Sequence, residues 1–217
     1  MTPVRTSGKR AEKARQTRQR MLTAARELFL EHGYAATTLQ DVAERAGVAV
    51  QTIYFTFNNK RSLLKELVDV TIAGDDEPVA TLDRPWFRAA MAQPSAVEQL
   101  RAHVHGSRSV LDRVAQISEM VTIAAATTPD LADIWRRDPD PRYVVQTAAA
   151  RSLVGKPGVR PDLSVEEAAD VLYGLLSTEL YLLFVRERGW PPQRWERWAF
   201  DTLCAQLCAS RPPGEAS

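Results

Sequence analysis

The sequence predicts an all-α fold, with a compact three-helix N-terminal unit followed by a larger helical domain. Apolar residues recur at spacings of three and four along most of the 217-residue chain. The starts of these periodic stretches fall on Ser, Thr, Asn or Pro, and several of their ends fall on Gly, as helix boundaries do. One segment, Thr38–Lys60, sets two such stretches around a single glycine.

The elements follow in order. Met21, Leu22, Ala25, Leu28 and Phe29 form one apolar face of a first helix that stops at Gly33, before Tyr34. Thr38 can cap a second helix, with Asp41 three residues on in a capping-box arrangement. Leu39, Val42, Ala43 and Ala46 give that helix its apolar face. Gly47 ends it, because glycine takes a positive φ without steric cost. Val48 plugs the corner, and a third helix runs from Ala49 to about Phe57 with Ile53 and Phe57 inward. Asn59 caps a fourth helix that begins at Lys60 and carries Leu63, Leu64, Leu67 and Val68. Two helices joined by a short glycine turn make a helix-turn-helix, whose second helix enters a DNA major groove N-terminal end first.

After Gly74 the stretch Asp75–Pro85 is acidic and proline-bearing and reads as a linker. A short helix is expected at Trp86–Gln93. Ser95 starts a long one with Val97, Leu100, Val104, Val110, Leu111 and Val114 apolar, breaking near Arg113 and resuming through Ile117, Met120, Val121 and Ala124. Pro129 opens a helix over Asp130–Arg137, and Pro139 and Pro141 force a break before Arg142–Leu153. Ser164 and Glu167 form a capping box for a helix that continues to Gly189. Pro191 and Pro192 begin the last helix, with Trp195, Trp198, Leu203 and Leu207. These two final helices are apolar over more than one face, more than a single core requires.

Composition narrows the function classes. Net charge is +1, but residues 1–60 carry ten Lys/Arg against five Asp/Glu, which leaves −4 for the rest. Seven of the basic groups lie in the first twenty residues, a basic arm ahead of the helix-turn-helix that suits phosphates or a minor groove. No nucleophile elbow, phosphate-cradling loop, metal cluster or supported acid pair is present, so an enzyme is not expected, nor a cofactor or metal. Cys204 and Cys208, four apart on a helix, read as buried hydrophobes; His32, His103 and His105 make no metal-ligand spacing. With no apolar run of 18 residues and no signal-peptide pattern, a cytoplasmic location and no membrane partner are expected.

Ala24-Ala25, Leu28-Phe29, Gly33-Tyr34, Thr38, Val42-Ala43, Ala46-Gly47-Val48, Thr52-Ile53-Tyr54, Phe57, Lys60 and Leu63-Leu64 together resemble the DNA-binding domain of the tetracycline-repressor (TetR) family of bacterial regulators. The likeness covers about 45 ungapped residues, Arg20–Leu64. It implies an all-α homodimer that binds double-stranded DNA. It also implies a C-terminal domain that senses a small molecule, with the last two helices, about 164–189 and 191–209, pairing with their copies. On that scheme 1–14 is a basic flexible arm, 15–60 the DNA-binding domain and 61–74 a connecting helix. Residues 75–211 form the effector-binding and dimerisation domain, and 212–217 a tail.

Site residues follow from the same likeness. Thr38, Tyr54 and Lys60 are expected on DNA phosphates, as are Arg15 and Arg18 near the start of the first helix. Gln51 can pair with adenine, and the Thr52 methyl can meet a thymine methyl. Ala49 and Val50 stand where the family often has a capping Ser or Thr and a polar reader, so they offer only apolar contacts. Candidate effector-lining residues are Trp86, Phe87, Met91, Met120, Trp135, Tyr143, Tyr173 and Tyr181, with Arg108, Arg113 and Glu119 as polar anchors. The expected activity is that of a repressor on a pseudo-palindromic operator, released by an effector. The alternative is a DNA-binding regulator or architectural protein that senses no small molecule.

Overall fold

The computed structural model describes residues 5–74, 79–131 and 139–209. Its helices are α1 (Arg5–Ala36), α2 (Leu39–Ala46), α3 (Val50–Phe57), α4 (Lys60–Ala73), α5 (Pro85–Met91), α6 (Ala96–Thr127), α7 (Pro141–Leu153), α8 (Val165–Leu175), α9 (Thr178–Leu182) and α10 (Pro192–Leu207). Among the described residues the one β-type pairing is an isolated bridge between Val159 and Cys208. The all-α expectation holds.

The chain divides into two units. The first runs to Ile72 and takes in the stretch beginning at Gln116; the second takes Ala73–Ala115 and the C-terminal part. In the first, Met21, Leu22, Ala25 and Phe29 of α1 meet Val42 and Ala43 of α2, Ile53 and Phe57 of α3, and Leu63 and Leu64 of α4. Each of these is essentially out of water. The α4 helix is therefore part of this core, and so are Ile117, Met120, Val121 and Ala124 of α6. Met120, expected as an effector-lining residue, lies on the face of α6 that closes this core.

Two further expectations change. The long helix does not break near Arg113: α6 is continuous over 32 residues, because no proline or unpaired turn residue interrupts its apolar stripe. Nor is 1–14 an arm without structure throughout, since α1 starts at Arg5. Ala, Lys, Arg, Glu and Gln there are strong helix formers, and Glu12 accepts from Arg15 and Gln16 at the helical spacings of three and four. Gly33, at φ 80°, ends the regular helix as its position suggested.

The second unit packs Phe87, Leu100, Val104, Leu153, Leu172, Tyr181, Trp195 and Leu203 around one apolar core. The helix expected from Ser164 to Gly189 is three pieces. Leu176 leaves helical backbone at φ −96°, ψ 28°. Ser177 then accepts from Leu180 N and starts α9, which passes into a π-helical turn over Leu183–Glu187. Val165–Glu187 has the length and apolarity of a membrane span, but this interruption and the burial of Ala168, Ala169, Leu172 and Tyr181 fit a core segment. Pro129 opens only a short 3-10 turn, Pro129–Leu131, and the rest of the expected 130–137 helix lies outside the described residues.

Candidate nucleic-acid interface

The helix-turn-helix is held by local devices. Thr38 Oγ1 accepts from Asp41 N at 3.1 Å, and Thr38 N donates to Asp41 Oδ2 at 2.8 Å, a complete capping box. This holds the Asp41 carboxyl below its usual range, chiefly through the Thr38 N–H. Gly47 adopts φ 65°, ψ 44°, and Val48 N returns to Ala43 O at 3.0 Å to close the turn. Arg45 reaches from α2 to Glu27 and Glu31 of α1, both at 3.2 Å, tying the two helices.

On α3, Ile53 and Phe57 are fully buried and fix the helix by one face. Gln51, Tyr54, Phe55 and Asn58 share the opposite face at the i, i+3, i+4, i+7 spacing, and all four are exposed. Phe55 is 93 % exposed and Tyr54 54 %. Sequence reasoning missed Phe55, although a phenylalanine beside Tyr54 and off the Ile53/Phe57 face was a readable signal. A fully exposed phenylalanine on a short helix has no folding role. Ala49 is exposed and gives α3 no side-chain cap, Thr52 is half-buried, and Val50 leans on the core.

The basic candidates separate. Arg15 is exposed and paired with Glu12. Arg18 is half-buried and paired with Glu66 of α4, within the unit's own fabric. Lys60 turns back: its Nζ donates to Tyr34 O and Thr37 O, each at 2.9 Å, and reaches Ala35 O at 3.5 Å. It also sits over the Tyr34 ring, 4.3 Å from the centroid. An ammonium at the C-terminal carbonyls of α1 meets the negative end of that helix. Lys60 thus ties α4 to α1, and partial burial lowers its pKa. Asn59 caps α4 as expected, accepting from Ser62 N at 2.8 Å.

In the second unit, Trp86 and Phe87 gather around His103 of α6, with ring centroids 6.1 and 5.8 Å away. Tyr143 and Tyr173 pack edge to face at 5.6 Å, their hydroxyls donating to Asp170 and Asp140 at 3.0 and 2.7 Å. Tyr181 donates to Asp112, whose carboxylate also pairs with Arg108, while Arg108 pairs with Glu196. Burial, then that carboxylate, push the Tyr181 phenol well above its ordinary range. The Met91 side chain leans on this core. Trp135 lies outside the described residues. Arg113 faces Gly74, and Glu119 is on α6. Within the second unit the aromatic candidates form separate groups: Trp86 and Phe87 at His103, Tyr143 against Tyr173, and Tyr181 at Asp112. A surface cleft of about 250 Å³ is lined by Arg101, Val104, Gln193, Glu196, Arg197 and Phe200, none of them among the eight effector candidates.

A buried, reciprocally capped helix behind an exposed reading helix defines a helix-turn-helix DNA-binding protein. Residues 21–67 match the family model described as bacterial regulatory proteins, tetR family. The HTH-type transcriptional regulator TtgR of Pseudomonas putida is 47 % identical over 58 residues, 27 % of this chain and 28 % of that protein. The chain thus matches just over a quarter of that relative's length. The uncharacterized HTH-type transcriptional regulator TtgW of the same species is 33 % identical over 92 residues, 41 % of this chain and 69 % of that one. The structure of a SmeT–triclosan complex superposes with a TM-score of 0.67 at 21 % identity, covering 93 % of this chain and 97 % of that one, a likeness of fold. The chain belongs to the TetR family of bacterial transcription regulators.

Proposed function

We propose that the protein is a dimeric repressor that grips a pseudo-palindromic operator and lets go when a small molecule binds its second unit. The observation that carries the reading is the exposed α3 stripe of Gln51, Tyr54 and Phe55 on a helix anchored from behind by Ile53 and Phe57. The Gln51 amide suits adenine, the Phe55 ring suits thymine methyls, and the Tyr54 hydroxyl suits a phosphate. Thr38 and Arg15 are exposed and suit backbone contact, whereas Arg18 and Lys60 act by positioning α1 and α4.

Dimerisation through α8, α9 and α10 is favoured by partly exposed apolar side chains there: Val171, Leu175, Leu182, Leu183, Phe184 and Trp198. A two-fold dimer sets two reading helices about 34 Å apart or wider, so the operator mirrors its symmetry. Effector and DNA then couple negatively and reciprocally. The TtgR and TtgW names support a regulator, and the triclosan complex of SmeT, a protein of like fold, supports small-molecule binding. The site of action is the cytoplasm.

Selection of bound DNA from a random pool tests the reading. A two-fold symmetric site is expected. An asymmetric site, or no enriched site, would remove the dimeric operator-binding claim.

A further inference from the structure

The imidazole of His103 is 1 % exposed at the centre of the second unit. Its Nε2 faces Gln146 Oε1 at 2.8 Å, an oxygen that can only accept. Nε2 therefore carries the proton, and Nδ1 is left as a bare lone pair. That lone pair is buried and has no hydrogen-bond partner among the described residues. A buried acceptor left unpaired costs about 1–3 kcal/mol, so its retention calls for a purpose.

The surroundings say what could reach it. Trp86 lies nearly parallel to the imidazole, 26° between planes, and Phe87 stands edge-on at 78°. Trp86 is only half-buried and sits directly on the backbone of Gly106. A Cβ at residue 106 would collide with the indole Cε3. The glycine thus makes a seat for the indole, which covers one side of the imidazole. The groups recorded around His103 are two aromatic rings and an amide, none of them charged.

We infer that His103, Trp86 and Phe87 form the effector site, taking an uncharged flat aromatic molecule that enters beside the Trp86 ring and donates one hydroxyl or N–H hydrogen bond to His103 Nδ1 in the plane of the imidazole. The inference rests on the proposed sensing role and names its ligand class. An aromatic ligand beside the indole packs against the Trp86 and Phe87 rings. A single donor satisfies the lone pair. A charged ligand is disfavoured because the Trp86 and Phe87 rings and the Gln146 amide offer no charge to compensate it. Burial acts in the same sense on the imidazole, keeping it neutral and its acceptor available.

The test uses the full-length protein and two probes with the same ring system, 2-naphthol and its slightly larger methyl ether, which lacks the donor. Calorimetric titration is expected to show 2-naphthol binding about fivefold to tenfold more tightly, the span of one net hydrogen bond. In His103→Phe the two probes should bind alike. Nitrogen-15 NMR of the unaltered protein gives a check that needs no variant. The His103 Nδ1 resonance should be that of an unprotonated nitrogen and should move on adding 2-naphthol but not the ether. Equal affinities in the parent, selectivity that survives His103→Phe, no binding of either probe, or an unmoved Nδ1 resonance would each overturn the site. Operator affinity measured with 2-naphthol bound separates the two claims. Binding at His103 with DNA affinity unchanged would keep the site and remove the release mechanism. Failure of both probes would remove the site and leave release by another effector standing.

Discussion

Replacing Lys60 with methionine keeps the side-chain stem and deletes the ammonium. Two charge-assisted hydrogen bonds at 2.9 Å disappear, together with the longer reach to Ala35 O and the cation–π contact on Tyr34. Hydrogen bonds to charged groups contribute about 1.5–3 kcal/mol each. The site is half open, so water takes up part of what is lost and each bond contributes only about 1 kcal/mol. A net loss of about 2 kcal/mol follows, or roughly 4–8 °C in Tm for a chain of this size. Scanning calorimetry measures the shift, and operator binding is followed as a function of salt. A positioning lysine lowers Tm and leaves the salt slope unchanged. A phosphate-binding lysine leaves Tm unchanged and lowers the slope by about 0.9. A variant with parental Tm and a reduced slope would refute the positioning role.

Phe55→Ala should leave Tm within about 1 °C, since the ring is 93 % exposed, yet change the sequence recovered in DNA selection; an unchanged operator preference would count against a reading role. Gly106→Ala should drive Trp86 off its seat, costing about 1–3 kcal/mol of overpacking against roughly 1 kcal/mol of helix propensity gained. Tryptophan emission should shift red, a shift absent in a Trp86→Phe background. The Asp41 carboxyl titrates lower when folded than its ordinary 3.8. Its contribution is therefore complete above that value and is lost as pH falls through the folded one. The stability difference between the parent and Asp41→Asn should accordingly shrink below about pH 4 in denaturant titrations. The buried His103 imidazole is also held below its ordinary 6.5, so the unfolded chain takes up a proton first. Stability should fall as pH drops below about 6.5, and His103→Phe should flatten that slope.

The helix-turn-helix was legible because its determinants are local. Thr38 and Asp41 are three residues apart, Gly47 needs only its own φ, and Asn59 caps its own helix. What escaped were pairings between distant residues. Lys60 looks like a phosphate ligand at a helix start until the carbonyls of Tyr34 and Thr37, more than twenty residues back, fold over it. Arg18 looks like a phosphate contact near the start of the first helix until Glu66 arrives beside it. Met120 belongs to the N-terminal core because α6 runs on without a break, which periodicity alone does not reveal. The stop at Leu176 was masked by an apolar run, although Ser177 three residues before Leu180 is a cap signal. Phe55 was overlooked because an aromatic residue is usually assigned to a core by default.

Ala49 leaves α3 without a side-chain cap, at the end that leads into the groove. An eight-residue helix cannot hold itself in water; Ile53 and Phe57 anchor its middle and far end in full burial, whereas its first turn has only the partly buried Val50. Its first turn is therefore the loosest part of the reader, and contact with DNA must supply the order that a serine would have supplied in advance. Selectivity then depends on which sequences can complete the fold as well as on which base edges match. Ala49→Ser would pre-organise that turn, tightening the hold on every DNA and narrowing the gap between the right operator and the wrong one.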